Sequence, residues 1–377
     1  MRFAKKTLYM LLAMFMVAGL FGSIQAGAKE ITLPVPTIKV KSVGKGTGFK
    51  VTISKTKEAE GFEVFVYGSG IAYGEYKYVS DDYQKIAEVK KNGNAKRTVT
   101  IKSLPAGSYK IKVRSYNSKK FGTMTYSEFS KEKSVKIKEA ANGYKASYDF
   151  SKVKKGDTIK FGSYEQDNNF SNGQEPIEWI VLEKTKKDIF VVSKYALDSL
   201  PYNKEYTKVT WEDCTLRKWL NDKFYTNAFN KTEIAMIKTT TVENFDNAIS
   251  GTSGGNDTKD KVFLLSQLEM INSDYGFDES YDAQDLSRRC APTAYGKAQE
   301  ISDSKYAQTS DGEDACSWWL RSSSGNGYRA CFVGPNGRVN SAGNFVEGAR
   351  SSFDTHSYID GYTHYGIRPA MRISLKS

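Results

Sequence analysis

The sequence predicts two folded parts, an all-β sandwich over residues 29–138 and an α+β domain over residues 147–377, joined by a linker at 139–146. In the first part, apolar and polar residues alternate in short runs broken by Gly, Asn and Pro, which is typical of strands with one buried face. In the second part, strand-like runs enclose a middle section with helix-capping signals. The chain without its first 28 residues is also too long for one small core.

The first 28 residues predict a secretory signal peptide. A basic start leads into an apolar run from Thr7 to Ile24, and the small residues Ala26-Gly27-Ala28 follow. This is the layout of a cleaved signal, although the run also approaches the lower length that spans a bilayer, so an uncleaved anchor is the alternative. We expect a protein that is secreted or held at the cell surface, with no membrane span after cleavage.

Charge is divided unevenly between the two parts. Residues 29–140 hold 23 Lys and Arg against 11 Asp and Glu, a balance of +12, whereas residues 141–377 hold 29 against 32, a balance of −3. A basic face attracts anionic polymers or membranes, but these lysines alternate along the predicted strands as they would on a solvated sheet face. No nucleic-acid recognition motif accompanies them, so no nucleic-acid partner is expected.

The first part resembles a fibronectin type III domain over nearly its whole length. Strands are predicted at 49–53, 62–66, 97–101, 107–116 and 126–137. Tyr109 stands at the head of a strand, where a tyrosine corner would place its ring in the core and bond its hydroxyl to upstream backbone. Leu104-Pro105 and Tyr126-Ser-Glu-Phe-Ser130 carry the resemblance, whereas Ile53 stands where a core Trp is usual. The resemblance implies a spacer or adhesive unit without site residues.

The second part mixes strands and helices. Strands are predicted at 159–164, 176–182, 189–192, 262–265, 317–321, 328–333, 344–346 and 366–375, with a hairpin turn at 334–337. Thr210, Asn230 and Ser266 each precede an acidic residue by three positions, which predicts the starts of three helices. The first helix has an apolar stripe, and Trp179, Trp211 and Trp219 are expected in the core. The stripe consists of Leu216, Trp219, Leu220 and Phe224.

Five ordered blocks of the second part look like an uncharacterised domain that is common in secreted proteins of clostridia and other gut anaerobes. These blocks are Pro176-Ile-Glu-Trp179, Thr215-Leu-Arg-Lys-Trp-Leu-Asn221, Val262-Phe-Leu-Leu-Ser266, Trp318-Trp-Leu-Arg-Ser322 and Gly366-Ile-Arg-Pro-Ala370. Their layout is similar to the C-type-lectin-like fold of formylglycine-generating enzymes and of the variable proteins of diversity-generating retroelements. The similarity implies that the closing strand pairs near the start of the domain, and it implies no particular ligand.

The cysteines do not predict an enzyme. Cys214, Cys290, Cys316 and Cys331 either form two disulfides, in one of three pairings, or remain buried thiols. Formylglycine-generating enzymes use two closely spaced cysteines, which this sequence lacks. The spacing argues against a zinc site, and no motif links a cysteine to either histidine. An exported enzyme, of formylglycine-generating or cell-wall-directed type, remains the alternative hypothesis.

No cofactor is expected, with calcium as the one metal that the sequence leaves open. An acidic run offers clustered oxygens of the kind that calcium binds. Its spacing lacks the Gly of a calcium loop, and the run is more simply a solvated loop. The run consists of Asp274, Asp278, Glu279, Asp282 and Asp285.

Two segments, 322–328 and 351–365, predict a binding site. They are rich in Tyr, Ser, Gly, Asp and His, the mixture found in antibody recognition loops. Because neighbouring strand residues face opposite sides, one of Trp318 and Trp319 should be core and the other exposed or interfacial, with Arg321 on the same side as Trp319 as partner for a carboxylate. Disordered loops, or an adhesion module without a discrete ligand, are the alternatives. The predicted partner is an extracellular glycan or protein, bound by Trp319, Arg321, Tyr328, Tyr358, Tyr362, His364 and Tyr365.

Overall fold

The computed structural model gives a β-rich protein. The predicted signal peptide and linker lie outside the described residues. Within the described residues, no helix is both long enough and apolar enough to cross a membrane. The described residues are 33–54, 56–68, 83–90, 97–102, 104, 107–118, 124–138, 148–299, 301, 303–347 and 365–376.

The first part forms two antiparallel sheets, of order β1-β2-β5 and β4-β3-β6, with β7 and β8 both paired to β6. Phe49, Phe62 and Tyr109 are buried in its core, and the rings of Phe49 and Tyr109 lie 6.4 Å apart. A 3₁₀ turn spans Gly44–Gly46. The strands are β1 (Ile38–Val43), β2 (Gly48–Ile53), β3 (Gly61–Gly68), β4 (Gln84–Lys90), β5 (Arg97–Ile101), β6 (Gly107–Asn117), β7 (Thr125–Tyr126) and β8 (Lys133–Ile137).

The first sheet of the second part is antiparallel and has the order β21-β11-β10-β9. Strand β21 comes from the far end of the chain, and Asp188 at the start of β11 pairs with Ser374. Nearby, the backbone N–H of Phe150 donates to the carbonyl of Leu375 (2.8 Å). The strands of this sheet are β9 (Thr158–Tyr164), β10 (Glu175–Lys184), β11 (Asp188–Ser193) and β21 (Ala370–Ser374).

The second sheet has the order β12-β20-β17-β18-β19, and β17 lies in its middle. Two short hairpins, β13 with β14 and β15 with β16, lie outside it. The strands are β12 (Asp198–Ser199), β13 (Thr240–Val242), β14 (Thr258–Asp260), β15 (Asp303–Gln308), β16 (Asp314–Cys316), β17 (Trp318–Ser324), β18 (Arg329–Val333), β19 (Val339–Phe345) and β20 (Gly366–Ile367).

The helices of the second part are short. A continuous helical stretch consists of α1 (Thr215–Trp219), a π-helical segment (Leu220–Phe224) and α2 (Tyr225–Ala228). The remaining α-helices among the described residues are α3 (Lys231–Met236) and α4 (Ala294–Ala298). Single 3₁₀ turns span Glu269–Ile271, Ser273–Tyr275, Leu286–Arg288 and Gly325–Gly327.

The helix starts agree with the capping signals in one case of three. Asn230 caps the start of α3 with a complete capping box. Its side-chain oxygen accepts a hydrogen bond from the backbone N–H of Glu233, and the Glu233 carboxylate accepts one from the backbone N–H of Asn230. The predicted helix start at Thr210 is wrong. The Thr210 carbonyl accepts hydrogen bonds from a turn that follows it, and the sulfur of Cys214 caps α1 instead. Ser266 and Glu269 bond each other reciprocally, but only one 3₁₀ turn follows.

Two further expectations need correction. Residues 262–265 form no strand and pair only through the isolated bridge between Phe263 and Ala370. Trp318 and Trp319 are both buried, so the expectation that one indole is exposed is wrong. The indole N–H of Trp318 donates to the carbonyl of Arg288, and that of Trp319 to the carbonyl of Leu200 (both 3.1 Å), because segments of the chain cover both faces of β17.

Candidate functional site

The side chain of Arg321 is buried and joins three segments of the second part. Its side chain is 5% exposed and forms an ion pair with Glu269. It also donates hydrogen bonds to the carbonyls of Leu264 (2.9 Å) and Glu243 (3.0 Å). The carboxylate expected beside Arg321 is therefore one of the protein's own, and the ion pair joins β17 to the 3₁₀ turn that begins at Glu269.

Ser322–Ser324 belong to β17 and are buried, so the expectation of a loop at these residues is wrong. Ser322 accepts a hydrogen bond from the backbone of Gln267 (3.0 Å), and Ser324 donates to the carbonyl of Ser341 (2.9 Å). The turn begins only at Gly325, and Asn326 adopts a left-handed conformation (φ 58°) there. The polar composition of this stretch thus serves strand pairing as well as a surface turn.

Tyr365 lies inside the domain. Its ring centroid is 4.6 Å from the centroids of both Trp319 and Phe332. Its hydroxyl accepts a hydrogen bond from Nδ2 of Asn344 (2.8 Å), and burial raises the pKa of the phenol. Tyr358, Tyr362 and His364 lie outside the described residues.

Tyr328 belongs to an exposed cluster of rings, which we call the aromatic platform and define as Tyr206, Tyr328 and Phe345. Ring centroids of Tyr206 and Tyr328 are 5.0 Å apart, and those of Tyr206 and Phe345 are 5.6 Å apart. Tyr206 is 46% exposed, and the other two rings are half-buried. Two basic side chains flank the platform. Nζ of Lys208 lies 5.7 Å from the centroid of the Tyr328 ring, and the guanidinium carbon of Arg329 lies 4.7 Å from the centroid of the Phe345 ring.

Backbone hydrogen bonds hold the platform's three segments together. The N–H of Val346 donates to the carbonyl of Tyr328 (3.1 Å), and the N–H of Asn203 donates to the carbonyl of Val346 (2.8 Å). The N–H of Val209 donates to the carbonyl of Gly327 (3.0 Å). The loop that carries Tyr206 is therefore fixed at both ends to the β17–β18 and β19 backbone.

The sequence analysis found Tyr328 but missed Tyr206 and Phe345. Tyr206 lies in the polar stretch Asn203-Lys-Glu-Tyr-Thr-Lys208, where an aromatic residue with no apolar neighbour is a signal of exposure. Phe345 lies in the predicted strand 344–346 and had no feature that separates a surface ring from a core ring. Only the pairing of distant segments places these two rings beside Tyr328.

A group of three carboxylates in the second part could hold a cation. Carboxylate oxygens of Glu165, Asp167 and Glu175 lie within 4.8 Å of one another. They also accept backbone hydrogen bonds, from Asn169 to Glu165 and from Gln166 to Glu175 (both 2.8 Å). Burial raises the pKa of Glu175. Oxygen donors of this kind suit calcium, although the same bonds also explain the cluster as a closed loop.

The acidic run predicted as a calcium candidate is arranged differently. Asp285 accepts bonds from the backbone of Asp278 (2.9 Å) and of Ser287 (2.8 Å), and it forms an ion pair with Arg288 (3.3 Å). Arg288 is buried and also donates to the carbonyls of Asp278 and Ser280. The guanidinium of Arg288, rather than a cluster of carboxylates, thus occupies the centre of this loop.

The four cysteines are free and buried. Burial raises the pKa of Cys214 and of Cys331 to about 12, which leaves both as thiols at neutral pH. Cys290 and Cys316 are neighbours, and the N–H of Cys316 donates to the carbonyl of Cys290 (2.8 Å). Burial opposes ionisation of Cys290, but its hydrogen bond with Cys316 and the charge of Arg368 together lower its pKa.

Residues 186–375 match the family model of a domain of unknown function, DUF6273. No curated protein matches the chain. The match begins just before β11 and ends after β21, so it covers the aromatic platform and both sheets of the second part except β9 and β10. The chain therefore belongs to the DUF6273 family.

Proposed function

We propose that the protein is an exported recognition protein, secreted or held at the cell surface, whose DUF6273 domain binds a glycan on the aromatic platform. The observation that carries this proposal is the contact of the exposed Tyr206 ring with the half-buried rings of Tyr328 and Phe345, on segments joined by three backbone hydrogen bonds. Tyrosine rings give large contact area at low entropic cost. The C–H face of a sugar ring packs well against such rings, because aromatic faces carry partial negative charge.

Polar groups at the rim supply the second part of the argument. Asn326 is exposed at the tip of the turn beside Tyr328, and Lys208 and Arg329 flank the rings. An apolar centre with a polar rim is the usual anatomy of a recognition surface. The rim groups would donate hydrogen bonds to sugar hydroxyls while the rings exclude water from the sugar face.

The segment that carries Tyr358, Tyr362 and His364 is bordered by described residues near the platform. The segment 348–364 leaves the described chain after Glu347 and returns at Tyr365, whose hydroxyl is bonded to Asn344, the neighbour of Phe345. The described residues on either side of the segment, Glu347 and Tyr365, therefore lie near the platform. A role for Tyr358, Tyr362 and His364 in ligand binding stays a prediction.

The domain layout is part of the proposal. A fibronectin type III-like spacer is supported by the division of the first part into the β1-β2-β5 and β4-β3-β6 sheets and by the burial of Tyr109 near the start of β6. A C-type-lectin-like layout is supported by the pairing of β21 with β11 near the start of the second part. Such a spacer would hold the binding domain away from the cell.

A glycan array, probed with residues 29–377 in the presence and absence of calcium, tests the proposal. For a glycan that binds, calorimetry should show that Tyr206→Ala weakens affinity by at least about tenfold, since one well-packed aromatic anchor contributes about 2 kcal/mol. Tyr306→Ala is the matched control, because Tyr306 is fully exposed and lies outside the platform.

Equal affinities of the Tyr206→Ala and Tyr306→Ala variants would remove the platform from the binding site. An array without a saturable glycan, together with a saturable protein ligand that is sensitive to Tyr206→Ala, would replace the glycan by a protein. Loss of binding on removal of calcium, together with the same loss in a Glu175→Gln variant, would assign a role to the carboxylates of Glu165, Asp167 and Glu175.

A further inference from the structure

A second concave surface, separate from the aromatic platform, lies beside strands β10 and β11. This cleft has a volume of about 280 Å³, near the lower end of the range for small-molecule sites, about 300–1,000 Å³. Three parts of the chain close it: Lys155-Gly156, the segment 275–291 and the β15–β16 turn at 309–311. None of the platform's three rings lines it.

The charged side chains that line the cleft are mostly basic. Four cations, Lys155, Lys194, Arg289 and Arg368, face one acid, Asp311. The second part of the chain has a slightly negative balance overall, so this local excess is not a reflection of composition. A concave surface of one sign raises the local concentration of ligands of the opposite charge.

Arg368 is a buried cation at this cleft. Its Nε donates to the carbonyl of Ser193 (2.8 Å) and its Nη1 to the carbonyl of Arg288 (3.4 Å). Its guanidinium carbon lies 4.9 Å from the centroid of the Trp318 ring. Within the described part of the chain, no carboxylate forms an ion pair with it. A buried charge without a counter-ion is unfavourable, and an anion in the cleft would reduce that cost.

Arg289 and Lys194 are the cations available for direct contact. Arg289 donates from Nη1 to the carbonyl of Gln308 (2.9 Å), while its buried Nε has no hydrogen-bond partner among the described residues. Nζ of Lys194 lies 2.9 Å from a carboxylate oxygen of Asp311, whose side chain is 54% exposed. An arginine fork recognises carboxylate and sulfate oxygens in pairs, and a ligand would compete with Asp311 for Lys194.

The remaining lining suits a sugar. The rings of Tyr195 and Tyr275 are half-buried and give apolar faces. Ser287, Thr309 and Ser310 bring hydroxyl groups that can exchange hydrogen bonds with those of a sugar. Together with the cations, these groups describe a ligand that has an apolar ring face, several hydroxyls and one negative charge.

We infer that this cleft binds an acidic sugar unit, a monosaccharide that bears a carboxylate or a sulfate, with Arg289 and Lys194 as its anion-binding residues. The inference goes beyond the proposed function, since it assigns a second site made of different residues. Tyr206→Ala should leave acidic-sugar binding unchanged, so the two proposals fail independently.

Calorimetry on residues 29–377 tests the inference with D-glucuronate, D-galacturonate and D-glucose 6-sulfate as probes, and with D-glucose and D-galactose as their neutral counterparts. We expect saturable binding of at least one acidic sugar, at least about tenfold tighter than its neutral counterpart, because a hydrogen bond to a charged group is worth that factor or more. The uronates and the sulfate distinguish the two anionic groups.

Two substitutions should act in opposite directions. Arg289→Ala should weaken binding by at least about tenfold, whereas Asp311→Asn should tighten it several-fold by removing the nearer of the two carboxylates that pair with Lys194, Asp311 at 2.9 Å and Glu178 at 3.8 Å. Lys259→Ala is the control, since Lys259 is an exposed cation on β14 and does not line the cleft. If Arg289→Ala lowers the melting temperature, Lys194→Gln serves as a second test of anion binding.

Absence of saturable binding by all three acidic sugars would overturn the inference. So would equal effects of Arg289→Ala and Lys259→Ala, or of Lys194→Gln and Lys259→Ala, because a diffuse basic surface responds only to net charge. Neutral sugars that bind as tightly as the acidic ones would also overturn it.

Discussion

Tyr164 donates a hydrogen bond to the carboxylate of Asp198 (2.5 Å), and both side chains are buried. The backbone N–H of Ser199 donates to the other carboxylate oxygen (2.8 Å). Burial raises the pKa of Asp198 from 3.8 to about 7, although both hydrogen bonds oppose the shift. The core of the second part thus contains an acid that titrates near neutral pH.

This acid predicts a stability that falls as the pH rises. Between about pH 4 and pH 7 the folded state keeps a proton that the unfolded state has lost, so the contribution is complete below pH 4 and lost above pH 7. The difference in unfolding free energy between the wild type and Asp198→Asn should decrease by up to about 4 kcal/mol across this window. Urea titrations at several pH values measure it, and a difference independent of pH would contradict the prediction.

The ion pair of the buried Arg321 with the half-buried Glu269 predicts a large loss of stability when the carboxylate is removed. Glu269→Gln leaves the Arg321 guanidinium buried without a carboxylate, which destabilises a protein by about 3 kcal/mol or more. Glu183→Gln breaks the more exposed contact with Arg372 and should change stability by less than about 1 kcal/mol. Chemical denaturation measures the unfolding free energy of both variants. Similar losses would mean that the ion pair of Arg321 and Glu269 stabilises the fold no more than the more exposed pair of Arg372 and Glu183.

The geometry of the turn between β18 and β19 predicts that any side chain at Gly337 destabilises the fold. Its φ is 85°, and a Cβ there would lie 2.1 Å from the carbonyl oxygen of Asp285. Gly251 also has positive φ (66°), but nothing lies within 4 Å of its Cβ position. Gly251→Ala should therefore cost about 1 kcal/mol from backbone strain alone, and Gly337→Ala should cost clearly more. Thermal unfolding of both variants isolates the clash, and equal melting temperatures would refute it.

The cysteines predict a defined thiol titration. In native protein at pH 8 we expect almost no reaction with a thiol reagent, because all four side chains are buried and the pKa values of Cys214 and Cys331 are raised to about 12. Denatured, unreduced protein should give four thiols. A count of two would instead indicate a disulfide, for which the neighbours Cys290 and Cys316 are the natural pair.

Sequence patterns predicted several elements of the fold from local signals. The strands at 159–164 and 176–182 and the capping box of Asn230 were found because alternation and capping depend on neighbouring residues. The start at Thr210 failed because a sulfur, that of Cys214, caps α1. Trp318 and Trp319 failed because chain segments cover both faces of β17, so alternation no longer separates inside from outside.

The candidate sites were less accessible to sequence analysis. Tyr328 was predicted from loop composition, but Tyr206 is brought beside it by backbone hydrogen bonds of other residues in its loop, from Asn203 to Val346 and from Val209 to Gly327. The cations of the cleft, such as Lys155 and Arg368, are likewise brought together from distant parts of the chain. A single sequence does not encode such proximity as a local pattern.

The pairing of β21 with β11 has a consequence for the order of events in folding. The sheet β21-β11-β10-β9 is incomplete until Ala370–Ser374 pair with Asp188–Ser193. These two strands are far apart in the sequence, and they must meet before the second part is stable. Such contacts slow folding. If the protein is exported as we propose, slow closure of this sheet would favour passage of the unfolded chain across the membrane before the domain folds.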